Sequence, residues 1–386
     1  MKLSQLLREK RLPDESTGET MVNQYILIFV WLGFCAIIAE KSSVIKTEVV
    51  CGGTVERFPW WFAFVAFVPV IWMAGHRGNV GDTGAYLSGF LNMPDSFAGI
   101  PAYAETQAKD PGFYVFSAIL KQFIGNHSVR YFTVLAAIQG IILLTVYRKY
   151  SSAYIVSLFL FLASTDYISW MYNGIRQFMA VTIIFGGTSL MLRNKYVSLI
   201  LVILLASLFH QSALIMIPIV LIAQGKAWNT RTLLFIAIII IAVLFVGRFT
   251  SLLDAVLEET QYASVVSDYT SWNDDGTNPI RVLVYSLPAI LAFLGRKRIM
   301  YEDDQLINLC TNFSLVTAGL YLVSMFTSGI FLGRLPIYTS LYSYILLPWE
   351  IENLFIRESK RLMYVAMIVG YLGFYYYQMH VGFRLL

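Results

Sequence analysis

Charge is scarce in this chain: Lys, Arg, Asp and Glu make up 13% of its 386 residues, against roughly 25% in soluble domains. That shortage, beside a hydrophobic share of 57%, excludes a soluble globular domain. The net charge of +4 is spread over loops and forms no basic stripe interleaved with aromatics, so no nucleic acid is expected as a partner. Cysteine is nearly absent. Cys35, Cys51 and Cys310 lie far apart and form no CxxC pair, which leaves neither a disulfide framework nor a zinc site. The histidines His76, His127, His210 and His380 share no metal-ligand spacing, so neither a metal nor a cofactor is expected. An internal repeat is also missing, and this argues against transporters built from inverted halves.

What the chain has instead is apolar runs, about 12–13 of them between residues 25 and 378. In lipid only helices satisfy their backbone within such segments. The fold class is therefore all-α, a polytopic integral membrane helix bundle. Residues 1–24 read as a polar tail and residues 25–386 as one membrane domain, with long loops near 75–112 and 248–280.

The short turns carry Arg148-Lys149, Arg193/Lys195, Lys226/Arg231, Arg296-Lys297-Arg298 and Arg357/Lys360/Arg361. The positive-inside rule places all of them in the cytoplasm. They share one side only if residues 196–223 cross twice, with His210 at the outer turn. Each arm is short, since 14 residues reach about 21 Å of a roughly 30 Å core. His210 is thus expected below the outer surface, in a wet cavity. Segment 113–124 is also too short to cross; it is expected to lie at the outer interface or to re-enter.

This sidedness leaves arginine dominant outside: Arg77, Arg130, Arg176, Arg248, Arg281, Arg334 and Arg384, with only Lys109 and Lys121 besides. Border arginines commonly anchor helices at headgroups or pair with acids. Arg176 and Arg334, however, have no acidic neighbour at helical spacing. A guanidinium facing hydrocarbon is costly without water or an anion, and its planar fork matches phosphate oxygens. The set suits a lipid-linked diphosphate.

Three blocks then coincide. Arg77-Gly78-Asn79-Val80-Gly81-Asp82-Thr83-Gly84-Ala85-Tyr86 is followed by Asp110-Pro111-Gly112-Phe113; the others are Asn173-Gly174-Ile175-Arg176-Gln177-Phe178-Met179-Ala180 and Ala206-Ser207-Leu208-Phe209-His210-Gln211-Ser212-Ala213-Leu214. In order and spacing they resemble the EpsG family over roughly residues 60 to 225. The later half is similar only in hydropathy and in Arg334-x-x-x-Tyr338. The resemblance implies a GT-C-like bundle and a Wzy-like exopolysaccharide or O-antigen repeat-unit polymerase. It implies a multi-pass enzyme of the bacterial plasma membrane with its site facing the exterior. That enzyme would join undecaprenyl-diphosphate-linked oligosaccharides, which serve as donor and acceptor, alongside a flippase and a chain-length regulator. The resemblance also favours an external loop 75–112 and hence an external N-terminus, although the tail carries Lys2, Arg8, Lys10 and Arg11.

On that chemistry, Arg176 is the first candidate to hold the departing diphosphate, Arg334 the next, and Arg77 or Arg281 helpers. His210 is the candidate base; contact with phosphate and capping of its own helix break are also open to it. Asp82 is the rival base, an orienting partner for Arg77 or a sugar hydroxyl, or an ordinary turn and N-cap residue. Tyr86, Asn173, Gln177 and Tyr338 are candidates for glycan contact. Tyr86 is equally open to core packing, and Tyr338, one turn beyond Arg334, could steady that arginine. Asp274-Asp275 could hold glycan or a divalent ion in the outer loop, and Asp303-Asp304 reads as a solvated inner face. The rival functions are a flippase or transporter of lipid-linked oligosaccharide, a ligase-like or monophosphate-dependent glycosyltransferase, and a scaffold without catalysis.

Overall fold

The computed structural model describes residues 15–41, 46–50, 53–257 and 276–385; residues 1–14, Cys51 and the Asp274-Asp275 pair lie outside them. Helix α1 (Glu15–Lys41) begins within the polar tail. A hairpin of β1 (Lys46–Val50) and β2 (Gly53–Arg57) follows, antiparallel with Lys46 opposite Arg57. Next come α2 (Trp60–Gly75), the small helices α3 (Thr83–Leu91) and α4 (Ile100–Glu105), α5 (Pro111–Ile124), α6 (Ser128–Tyr150) and α7 (Tyr154–Ala163). A π-helical turn, Tyr167–Asn173, precedes α8 (Ile175–Gly186) and α9 (Thr188–Leu192). The chain continues through α10 (Tyr196–Phe209), α11 (Met216–Ala223), α12 (Thr230–Leu244), α13 (Val246–Leu257), α14 (Pro279–Leu294) and α15 (Arg296–Glu302). It closes with α16 (Gln305–Met325), α17 (Ile337–Ser340), α18 (Ser343–Leu354) and α19 (Arg357–Tyr377). This is a polytopic helical membrane protein, and the β-hairpin holds the only strands among the described residues.

By length and apolarity four helices can cross a membrane: Gln24–Lys41, Ser128–Tyr150, Ile175–Leu192 and Gln305–Met325. Two bent pairs raise the number to 6. One pair joins α7 to the π-helical turn at 71°, and the other joins α14 to α15 at 70°. Helix α16 is the centre of the bundle and is unusually polar for that place. Its buried Asn308 and Asn312 accept the backbone N–H groups of Ala227 and Trp228, each at 3.0 Å. Side-chain amides there satisfy a turn whose own backbone has no helical partner.

Contacts sort the loops into two ends. Gln224 donates to the Met191 carbonyl, Lys226 pairs with Asp303 at 2.6 Å, and Gly295 sits against Leu354. The turns near residues 193, 226, 297 and 357 therefore share an end. The fifth basic turn joins them by length, since the 23 residues of α6 extend about 35 Å away from the opposite end. Residues 196–223 run out in α10, turn at His210 and return in α11. Helix α5 starts and finishes at the His210 end and packs across it with α3 and α4. Buried Lys121 fastens it there, donating to the carbonyls of Leu91 and Met93 and pairing with Asp95 at 2.9 Å.

Candidate active site

The three sequence blocks meet at the His210 end, and two glycines decide how closely. Gly81 has φ +56°, and a Cβ there would lie 1.6 Å from Asn173 Oδ1. That same oxygen accepts the Asp82 backbone N–H at 3.1 Å, while Asn173 Nδ2 donates to the Ile168 carbonyl. The first block is thus pinned to the helix break before α8. Gly112 makes the second close approach, because a Cβ there would stand 2.7 Å from Leu208 Cβ and 2.8 Å from its carbonyl oxygen. Only glycine lets the start of α5 press onto the end of α10.

Between these contacts sits Arg176, in the first turn of α8. Its Nη1 donates to Asp110 Oδ2 at 2.9 Å and to the Tyr114 hydroxyl at 3.3 Å. The Tyr86 phenol is also within its reach. The side chain nevertheless stays 30% exposed. Spacing within its own helix offers no acid, yet the fold brings one from 66 residues away. Asp110 has φ 53° and a buried carboxylate whose second oxygen accepts the Gln211 N–H at 3.1 Å. Burial pushes its carboxyl up from the ordinary range, with Arg176 and the Gln211 N–H pulling the other way.

His210 lies in the turn between α10 and α11, outside both arms. Its Nδ1 meets Ser212 Oγ at 2.7 Å, and that hydroxyl meets the Tyr338 hydroxyl at 2.9 Å. Burial, then the charges of Arg176 and Arg334, push the imidazole down to about 3. Tyr338 is 2% exposed, so its hydroxyl serves this chain of contacts from within the wall. Gln177, also buried, donates from Nε2 to the Arg334 carbonyl at 2.9 Å. The segment after α16 is thereby fixed to α8, with the Arg334 side chain exposed.

The remaining candidates divide. Arg281 and Arg334 share a cavity of about 400 Å³ with Trp170, Asn173, Thr277 and Asn278. Arg281 Nη2 approaches Ser169 Oγ at 3.5 Å, and its buried Nε has no hydrogen-bond partner among the described residues. Behind it the buried Asp166 accepts the hydroxyls of Tyr285 and Tyr344, at 2.5 and 2.6 Å. Arg77 is built into the wall: Nη1 donates to the Met171 carbonyl at 2.6 Å, and the guanidinium lies 4.1 Å from the Phe132 ring centroid and 4.9 Å from that of Tyr172. Asp82 caps α3 by position, but its exposed side chain makes no capping bond. Tyr86 lies part-buried beside Arg176. Among the described residues no three His, Cys, Asp or Glu side chains converge as a metal site.

Sequence reasoning missed Asp110, Tyr114 and Asp166. Asp110 opened the short run that follows the first block, but nothing local announced its partner. Asp166 carried a usable signal, an acid directly after an apolar run, where ionisable groups are costly unless they serve a purpose.

A sequence model of the EpsG family matches residues 60–383. No curated protein and no solved structure matches the chain.

Proposed function

The chain belongs to the EpsG family, a Wzy-like polymerase family, and from that premise we propose a polymerase of lipid-linked oligosaccharide repeats. It moves a growing glycan from undecaprenyl diphosphate to the non-reducing end of an incoming lipid-linked unit. The work is done on the outer face of a bacterial plasma membrane. The observation that carries this reading is geometric: the Asp110 carboxylate joins Arg176 to the turn that holds His210, and Gln177, next to Arg176, holds the Arg334 carbonyl, so residues from segments far apart in sequence meet at one end of the bundle.

In the reaction, the acceptor hydroxyl oxygen attacks the anomeric carbon. The bond from that carbon to the diphosphate oxygen breaks, and its electron pair leaves with the diphosphate. Negative charge grows on the phosphate oxygens, and fixed cations there lower the barrier. Arg176 supplies the nearest charge, while Arg334 and Arg281 supply charge across the adjoining cavity. The hydroxyl proton passes to His210. With Nδ1–H donating to Ser212 Oγ, Nε2 keeps its lone pair for that proton. Charge brought by the diphosphate offsets the two arginines, so the imidazole becomes a stronger base once the donor is bound. Asn173 and Asp82 are the residues proposed to meet the glycan hydroxyls.

The test is incubation of purified protein with a defined lipid-linked repeat, followed by gel separation of the glycans. A ladder of multiples is expected. Glycans of unchanged length that cross a vesicle membrane would instead establish a transporter.

A further inference from the structure

Polymerisation at this site needs the Arg176 guanidinium and the His210 imidazole at a fixed separation, yet they stand on different elements. Arg176 is in the first turn of α8, and His210 is in an irregular turn between two short arms. The turn keeps backbone bonds from the His210 N–H to the Ala206 carbonyl and from the Ala213 N–H to the His210 carbonyl, whereas the Gln211 N–H is held from outside the turn. One side chain touches both. Asp110 Oδ2 accepts from Arg176 Nη1 at 2.9 Å, and Asp110 Oδ1 accepts the N–H of Gln211, the residue after His210, at 3.1 Å.

We infer that Asp110 is a positioning residue, a single carboxylate that sets the Arg176 guanidinium and the His210 turn in register. This rests on the polymerase reading for its consequence in catalysis, but not for its geometry. The carboxylate is well placed for the task. Its side chain is 4% exposed, so water does not compete for its oxygens. Among the described residues Oδ2 meets Arg176 and Oδ1 meets the Gln211 N–H, and the two partners belong to different elements. The residue occupies a left-handed conformation ahead of Pro111, where a non-glycine residue is disfavoured. Gly112 then presses against Leu208, two residues before His210. Backbone packing and carboxylate therefore act on the same turn from one short segment.

The two arms of the contact can be separated by substitution. In Asp110→Asn the amide oxygen still accepts the Gln211 N–H, but the amide nitrogen faces another donor on Arg176 and makes no bond. In Asp110→Ala both contacts go. With purified full-length protein and a defined lipid-linked repeat, Asp110→Asn is expected to lower kcat by about 100-fold, the scale of a small misplacement at a reacting centre. KM for the donor should change far less, because Arg176 remains present to bind it. In an Arg176→Ala background the same substitution should cost almost nothing more, since the two residues act as one unit. An unchanged kcat, or losses that multiply, would overturn the inference.

A second arm does not depend on polymerisation. Hydrogen exchange at the peptide containing Gln211 should quicken in Asp110→Ala and stay near wild type in Asp110→Asn. Equal exchange in wild type and Asp110→Ala would show that the carboxylate does not hold the turn. If wild-type protein made no ladder, the polymerase reading would fall, while the exchange result would still decide the geometry.

Discussion

Arg176 keeps 30% of its side chain open while one Nη is committed to Asp110 and Tyr114. A partly neutralised, partly open guanidinium is the group proposed to meet the developing charge. Arg176→Ala is expected to lower kcat by about two to three orders of magnitude, with folded protein still recovered. Arg176→Lys should rescue little, because an ammonium cannot reproduce the planar fork. Rates of ladder formation check both. His210 allows a pH prediction. Its acid form is disfavoured down to about pH 3, so the imidazole is already neutral across roughly pH 5 to 8, where an ordinary histidine titrates. kcat/KM, which reports free-enzyme groups, should therefore lack an acidic limb from His210 in that range. Arg334→Gln removes one opposing charge and should move that limb upward. A wild-type limb at the ordinary histidine value would contradict the assignment. At this scale the sequence made Arg176 and His210 visible, because a cation or imidazole amid apolar residues is costly. It could not reveal that Tyr338 spends its hydroxyl on Ser212, since that contact spans 126 positions.

Elements were legible where one physical signal dominated. Continuous apolar runs specify helices such as α6 and α16, and the charged turns imply the out-and-back path of residues 196–223. The loop at 75–112 was less so. It folds into α3 and α4, whose buried Phe90 and Ile100 join Phe113, Tyr131 and Ile175 in a second core. No run there is long enough for a periodic pattern to stand out. The interlocking of blocks through glycine was likewise hidden, because a close approach depends on a distant backbone. Gly112→Ala should therefore destabilise the protein by about 1–3 kcal/mol, as overpacking does, through a collision with Leu208. Gly373 in α19 has open space where an added methyl would sit, with nothing within 4 Å among the described residues, and Gly373→Ala should be neutral or slightly stabilising. Thermal unfolding in detergent compares the two. Equal midpoints for both variants would show that the contact with Leu208 does not require glycine.

For the whole molecule, the decisive feature is its polarity from end to end. The basic turns gather at one end, and His210, Arg176, Arg281 and Arg334 gather at the other. Contacts within the chain establish this arrangement without reference to lipid. The proposed placement of the His210 end outside rests on the charge rule. In cells carrying the protein without its native cysteines, Glu105→Cys should react with an impermeant thiol reagent from outside. Lys297→Cys should react only after permeabilisation. The reverse pattern would put the site in the cytoplasm and remove the proposed acceptor route. The number of crossings was harder to read than their sense, because several apolar runs form short or bent helices.

In the proposed reaction a glycosidic bond forms as a lipid diphosphate is released beside Arg176 and His210. The most direct measurement follows both products from purified protein and a labelled lipid-linked repeat. Wild type is expected to release undecaprenyl diphosphate in equimolar step with each new linkage, and Arg176→Ala to lose both together. Glycan growth without that release, or growth at the wild-type rate in Arg176→Ala, would contradict the account.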